Sequence, residues 1–121
     1  MRIVLVDDAE EMRLLVGLSL RLSGDFDVVG EAANGREAIT VAGDVRPDLV
    51  LLDLSMPEMD GLEALPRIRA ASPDSAVVVF SGFDESHLGA EARRLGARGY
   101  IEKGTPLERV GPMLLEMLDT A

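Results

Sequence analysis

The chain has 121 residues, a formal net charge of −10 and no cysteine. That length suits one ordinary domain with a sizeable core, and no apolar stretch is long enough for a transmembrane helix or placed to be a signal peptide. The acidic balance argues against direct nucleic acid binding, which needs Lys and Arg on one face, and the lack of disulfide or thiol chemistry fits a reducing cytoplasm.

Five strand-then-helix units follow one another along the chain. The first strand is predicted near 2–7, where Ile3-Val4-Leu5-Val6 runs into the acid pair Asp7-Asp8. A helix near 9–22 follows, with Asp8 as its cap and Glu11 three positions on. A strand near 26–32 leads to a helix near 35–44, again with a cap and glutamate pair, Asn34 and Glu37. Arg46-Pro47-Asp48 turns into a third strand, near 48–53, whose run Leu49-Val50-Leu51-Leu52 ends in Asp53. Asp60 and Glu63 begin a helix near 61–70, which contains Pro66 and should be kinked there. Ser72-Pro73-Asp74 opens the fourth strand, near 76–81, ending in Ser81-Gly82. A helix near 85–95 and a short strand near 98–102 precede Lys103. Thr105 and Glu108 cap the last helix, near 106–119, with Pro106 at its first position. The repeated cap spacing serves the unpaired amides of a first helical turn.

Apolar runs rich in Val, Ile and Leu suit strands buried on both faces, as in a parallel sheet. Alternating strands and helices with right-handed crossovers give a doubly wound α/β fold of flavodoxin-like type, (βα)5. The common five-stranded order is 2-1-3-4-5, with ligands bound beyond the strand ends at the switch point between strands 1 and 3. Asp7, Asp8 and Asp53 stand there. Three acids so placed repel one another unless a divalent cation joins them, and hard cations such as Mg²⁺ prefer oxygen. The arrangement reads as a Mg²⁺-assisted phosphoryl site with Asp53 as acceptor.

Taken singly, each residue has a plainer explanation. Asp8 could be only a helix cap, Asp7 and Asp53 turn acids, Lys103 a solvated side chain, and Ser81 a local partner of backbone. Their convergence on one edge of the sheet is what favours a shared site. His87, the single histidine, reads as a surface residue, and Met56, Met59, Met113 and Met117 as loop or core filler.

At the acid pair, Asp53, Ser81-Gly82, Tyr100 and Lys103, the chain resembles the receiver domain of bacterial response regulators, over its whole length of 1–121. The stretch Glu31-Ala32-Ala33-Asn34-Gly35-Arg36-Glu37-Ala38 looks most like receivers that precede a helix-turn-helix output domain; any such domain would lie beyond 121. The resemblance implies that Asp53 takes a phosphoryl group from a phosphohistidine on a sensor histidine kinase, and that the domain catalyses only its own phosphorylation and dephosphorylation. It assigns Mg²⁺ to Asp8, Asp53 and the backbone carbonyl of Ser55, with Asp7 holding metal-bound water. Lys103 and Ser81 would contact phosphoryl oxygens, and Gly82 would give the backbone room to approach. Ser81 and Tyr100 would form the switch, the ring turning inward as the hydroxyl moves; a half-exposed edge aromatic is the plain alternative for Tyr100. Phe83 would stand at the mouth of the site and control access of hydrolytic water. Gly104 replaces the proline that many receivers carry after the lysine.

A phosphatase of the haloacid dehalogenase type would need a second acid two residues beyond Asp53, where Ser55 stands. A flavodoxin-type carrier would need a phosphate loop after strand 1, and Asp7-Asp8 would repel a flavin phosphate. A degenerate receiver serving only as a protein-interaction module keeps the fold without the chemistry, yet no site residue is missing. The apolar residues of helices 1 and 5 cover more surface than packing on a sheet demands, which predicts a homodimer or a docking face there. The alternative face is helix 4, strand 5 and helix 5, around Leu88, Ala92 and Tyr100.

Overall fold

The computed structural model describes residues 1–119. Its elements alternate as predicted: β1 (Arg2–Val6), α1 (Glu10–Ser23), β2 (Asp27–Ala32), α2 (Gly35–Val45), β3 (Leu49–Leu52), α3 (Gly61–Ala71), β4 (Ala76–Ser81), α4 (Glu85–Arg94), β5 (Gly99–Glu102) and α5 (Leu107–Asp119). The strands form one sheet in the order β2-β1-β3-β4-β5, and every pair is parallel. This is the doubly wound order expected from the sequence.

Alternation of side chains across each strand divides the core in two. Val4, Val6, Val50, Leu52, Val77, Val79 and Tyr100 face the layer that includes α2 and α3. Ile3, Leu5, Leu49, Leu51, Val78, Phe80 and Ile101 face the opposite layer, where α1 lies beside α5. Both faces of β1, β3 and β4 are therefore dry, which explains why their sequences are continuous apolar runs rather than alternating ones. Met56 and Met59 fill the floor under the β3–α3 loop, and His87 is exposed.

Two capping expectations are correct. Asn34 and Asp60 each accept the amide of the glutamate three residues on. The other two are corrected. The N-cap of α1 is Ala9, with no side-chain cap, and Asp8 is exposed. The Ala9 amide donates instead to Asp7 Oδ1 at 2.9 Å, so the side chain that bonds into this turn is Asp7 rather than Asp8. In α5 the helix starts at Leu107, one residue after Pro106, whose carbonyl accepts the Arg109 amide. Among the described residues Thr105 contributes only its backbone amide, bonded to Glu102. Both α3 and α5 run on through an internal proline, Pro66 and Pro112, each on the exposed side.

Candidate functional site

The carboxyl ends of β1, β3, β4 and β5 meet at one edge of the sheet, and the residues that follow them form the site. Asp7, beyond β1, is held at each polar group. Its amide donates to Ala32 on β2 at 3.1 Å, and its carbonyl accepts from Arg13 at 2.6 Å. Oδ1 accepts from Ala9, while the buried Oδ2 has no aligned hydrogen-bond partner and instead pairs with the Lys103 ammonium at 2.7 Å. Asp53, beyond β3, is only 3% exposed. Its backbone amide bonds to Val6, and one carboxylate oxygen accepts the Ser55 amide at 3.3 Å. Asp8, next in the chain after Asp7, is exposed.

Carboxylate oxygens of Asp7, Asp8 and Asp53 all lie within 4.8 Å of one another. Lys103 reaches in from the end of β5, 3.4 Å from Asp53 as well as 2.7 Å from Asp7. Burial pushes the Asp53 carboxyl above its ordinary value and the Asp7 charge adds to that; Lys103 and the Ser55 amide oppose it without cancelling it. For Lys103, burial pulls the ammonium down, but pairing with Asp7 and Asp53 outweighs burial and leaves it raised. One cation thus faces three acids. An all-oxygen donor set with surplus negative charge and a buried, unaligned carboxylate oxygen fits a hard divalent cation such as Mg²⁺.

The remaining predicted residues surround this group without all touching it. Ser81 is fully buried at the end of β4, and its hydroxyl accepts the Phe83 amide at 3.1 Å. Tyr100 is not the half-exposed edge aromatic that was its alternative. It is 3% exposed, and its hydroxyl donates to the Phe83 carbonyl at 2.8 Å. Phe83 is accordingly pinned at both backbone groups while its ring stays open to solvent. At Gly82 a Cβ would touch nothing within 4 Å, so crowding by the protein itself does not demand glycine there. Gly61 is different. A Cβ on it would strike the Asp53 carbonyl oxygen and the Leu54 backbone, so the glycine lets α3 start directly against Asp53.

Sequence reasoning missed two further participants. Arg13 and Glu102 carried no motif, and each acts on backbone. Glu102 accepts the Glu85 amide at 2.9 Å and so caps α4 from β5.

Residues 3–114 match the family described as response regulator receiver domain. The chain belongs to that family. Among the relatives of this receiver domain, the chemotaxis protein CheY of Listeria monocytogenes serovar 1/2a is 40% identical over 121 residues, covering 100% of this chain and 98% of that protein. The nitrate/nitrite response regulator NarL of Escherichia coli K12 is 42% identical over 101 residues, 84% of this chain and 47% of NarL. The receiver thus spans nearly the whole of CheY but about half of NarL. Its fold superposes on the signal receiver domain of NarL from Mycobacterium tuberculosis with a TM-score of 0.90, at 32% identity, covering 99% of this chain and 97% of the other.

Proposed function

We propose that this receiver accepts a phosphoryl group on Asp53 from a phosphohistidine of a sensor histidine kinase. An Asp53 carboxylate oxygen forms the new bond to phosphorus as the imidazole N–P bond breaks, its electron pair returning to the ring. The product is an acyl phosphate. The observation that carries this reading is the meeting of Asp7, Asp8, Asp53 and Lys103 at one strand-end edge, with Lys103 bridging two of the acids.

Phosphoryl transfer depends on position and on neutralising oxygens. Asp8, Asp53 and the Ser55 carbonyl would hold Mg²⁺, with Asp7 gripping its water; bound there, the ion would supply counter-charge to the transferred group. Lys103 exchanges its pairing with Asp7 and Asp53 for a phosphoryl oxygen, and the Ser81 hydroxyl turns from the Phe83 amide to another. Tyr100, already inward, follows the Ser81–Phe83 segment through its bond to the Phe83 carbonyl. Phe83 screens the mouth from hydrolytic water. The chemistry is stoichiometric and confined to the domain's own aspartate.

The partner face belongs to this proposal too. Leu14, Leu15, Leu18 and Leu22 on α1 are 66%, 50%, 52% and 77% exposed. The corresponding residues of α5, Met113, Leu115, Met117 and Leu118, are partly buried against the core. The surplus predicted for helices 1 and 5 therefore lies on α1, which we assign as the face for a second copy. Around the alternative surface, Ala92 and Tyr100 are buried.

Incubation with Mg²⁺ and acetyl phosphate should add one phosphoryl unit by intact mass, and Asp53→Asn should gain none. Equal labelling of that variant would overturn the assignment.

A further inference from the structure

Arg13 stands in the second turn of α1, five residues beyond Asp8, and its side chain is only 16% exposed. It does not point outward with the leucines of the same helix. Nη1 donates to the Asp7 carbonyl at 2.6 Å, and Nε donates to Glu31 Oε1 at 3.0 Å. One planar guanidinium therefore ties α1, the end of β1 and the end of β2 together. The fork has fixed geometry, so Glu31 on β2 sets the plane in which the Asp7 carbonyl is met.

What this contact fixes is the turn that carries the acid pair. The first turn of α1 has no side-chain cap, and Asp8 is exposed. Asp8 therefore takes its position from its two neighbours: Asp7, held by Ala32, Arg13 and Lys103, and Ala9, held by Asp7 Oδ1. Removing Arg13 leaves the Asp7 carbonyl without its charged donor and frees the peptide that joins the two acids. Groups behind a metal ligand that orient it typically change metal affinity by about ten- to hundredfold when removed. A turn that must be ordered on binding lowers affinity by the cost of ordering it.

We propose that Arg13, aimed by Glu31, is a positioning residue for the acid pair, setting how tightly Asp7 and Asp8 engage a divalent cation. This rests on the acceptor reading above. Mg²⁺ affinity of the folded protein, followed by the Mg²⁺ dependence of its thermal midpoint, is the direct readout; labelling by acetyl phosphate at saturating Mg²⁺ is the second. Arg13→Ala should weaken Mg²⁺ roughly ten- to hundredfold yet reach the parent's labelling endpoint once Mg²⁺ is saturating. Arg13→Lys keeps the charge but loses the planar fork that meets both acceptors in one fixed geometry, so it should weaken Mg²⁺ nearly as far. Glu31→Gln, which leaves the arginine in place, should shift affinity the same way by less. Arg21→Ala removes an exposed charge from the last turn of α1 and should bind Mg²⁺ as the parent does.

Parent-like affinity in Arg13→Ala, or full recovery in Arg13→Lys, overturns the proposal while the acceptor reading stands. If Arg13→Ala does not fold, parent-like affinity in both Arg13→Lys and Glu31→Gln overturns it equally. A parent that neither binds Mg²⁺ nor labels defeats the acceptor reading and takes this inference with it.

Discussion

Lys103 Nζ lies nearer to Asp7 Oδ2, at 2.7 Å, than to Asp53 Oδ1, at 3.4 Å. Among the described residues the ammonium is the one cation paired with these buried carboxylates, and its shorter contact is with Asp7 rather than with the proposed acceptor. Release of Asp53 toward an incoming group therefore breaks the longer of two ion pairs.

Lys103→Gln should destabilise the metal-free protein at neutral pH by about 1–3 kcal/mol, because it leaves the buried acids without counter-charge. Mg²⁺ should recover more stability in this variant than in the parent. Thermal melts with and without Mg²⁺ check both statements, and an unchanged midpoint in the metal-free variant would contradict them.

Asp53 has a raised folded-state pKa, from burial first and the Asp7 charge second. Its protonated form is therefore favoured in the native state. The stability this contributes is full below the unfolded value of about 4 and is lost as pH rises through the folded value. Ionised Asp53 at neutral pH is a net cost, and Asp53→Asn should raise the metal-free melting temperature there by a few degrees, for a gain of about 1 kcal/mol. The advantage should shrink as the pH falls toward the unfolded value. A variant less stable than the parent at pH 7 would show that Lys103 more than offsets the repulsion.

Gly61→Ala should cost about 2–4 kcal/mol, since its methyl would occupy the space of the Asp53 carbonyl oxygen. The same change should slow labelling by acetyl phosphate beyond what loss of fold explains, because α3 can relieve the clash only by moving Asp53. Gly82→Ala, with open space around the added carbon, should leave stability within about 0.5 kcal/mol of the parent. Denaturant melts of the two variants side by side make the comparison.

Leu18→Glu and Leu14→Glu should lower self-association, read by light scattering across a concentration series with and without phosphorylation. Both leucines are at least half exposed, so neither change should cost more than about 0.5 kcal/mol of monomer stability. Variants that associate like the parent would remove α1 from the interface.

Much of this fold was legible because its strands are buried on both faces. The runs in β1, β3 and β4 appear as unbroken apolar stretches rich in Val, Ile and Leu, and each ends at a buried polar residue, Asp7, Asp53 or Ser81; β5 ends at Glu102 with Lys103 next. The strand order is the common one for five alternating strand-helix units, and it brings the acids together at the switch point. The start of α1 was misread because cap spacing describes one candidate at a time. Asp8 and Glu11 have the right separation, but the helix begins one residue later, with Ala9 at the cap position and its amide bonded to Asp7. Arg13 was invisible for another reason. Its main acceptor is a carbonyl, which every residue owns, and its carboxylate partner is 18 positions away. The surplus apolar residues of α5 were counted correctly but misplaced, since the chain packs them inward and leaves α1 to carry the exposed row.

The sheet has two open margins, and neither invites another strand. At β2 the pairing with β1 slips between Ile3 and Val4, and Asp27 and Glu31 put exposed charge along the strand. At the other margin β5 has only four residues, and the flexible Met117 side chain packs over Gly99. Short, charged, irregular or covered borders discourage backbone-to-backbone recruitment. Association with other chains is thereby steered toward side chains on the helices, where a contact can be tuned one residue at a time, with no continuous ladder of amides to lock it.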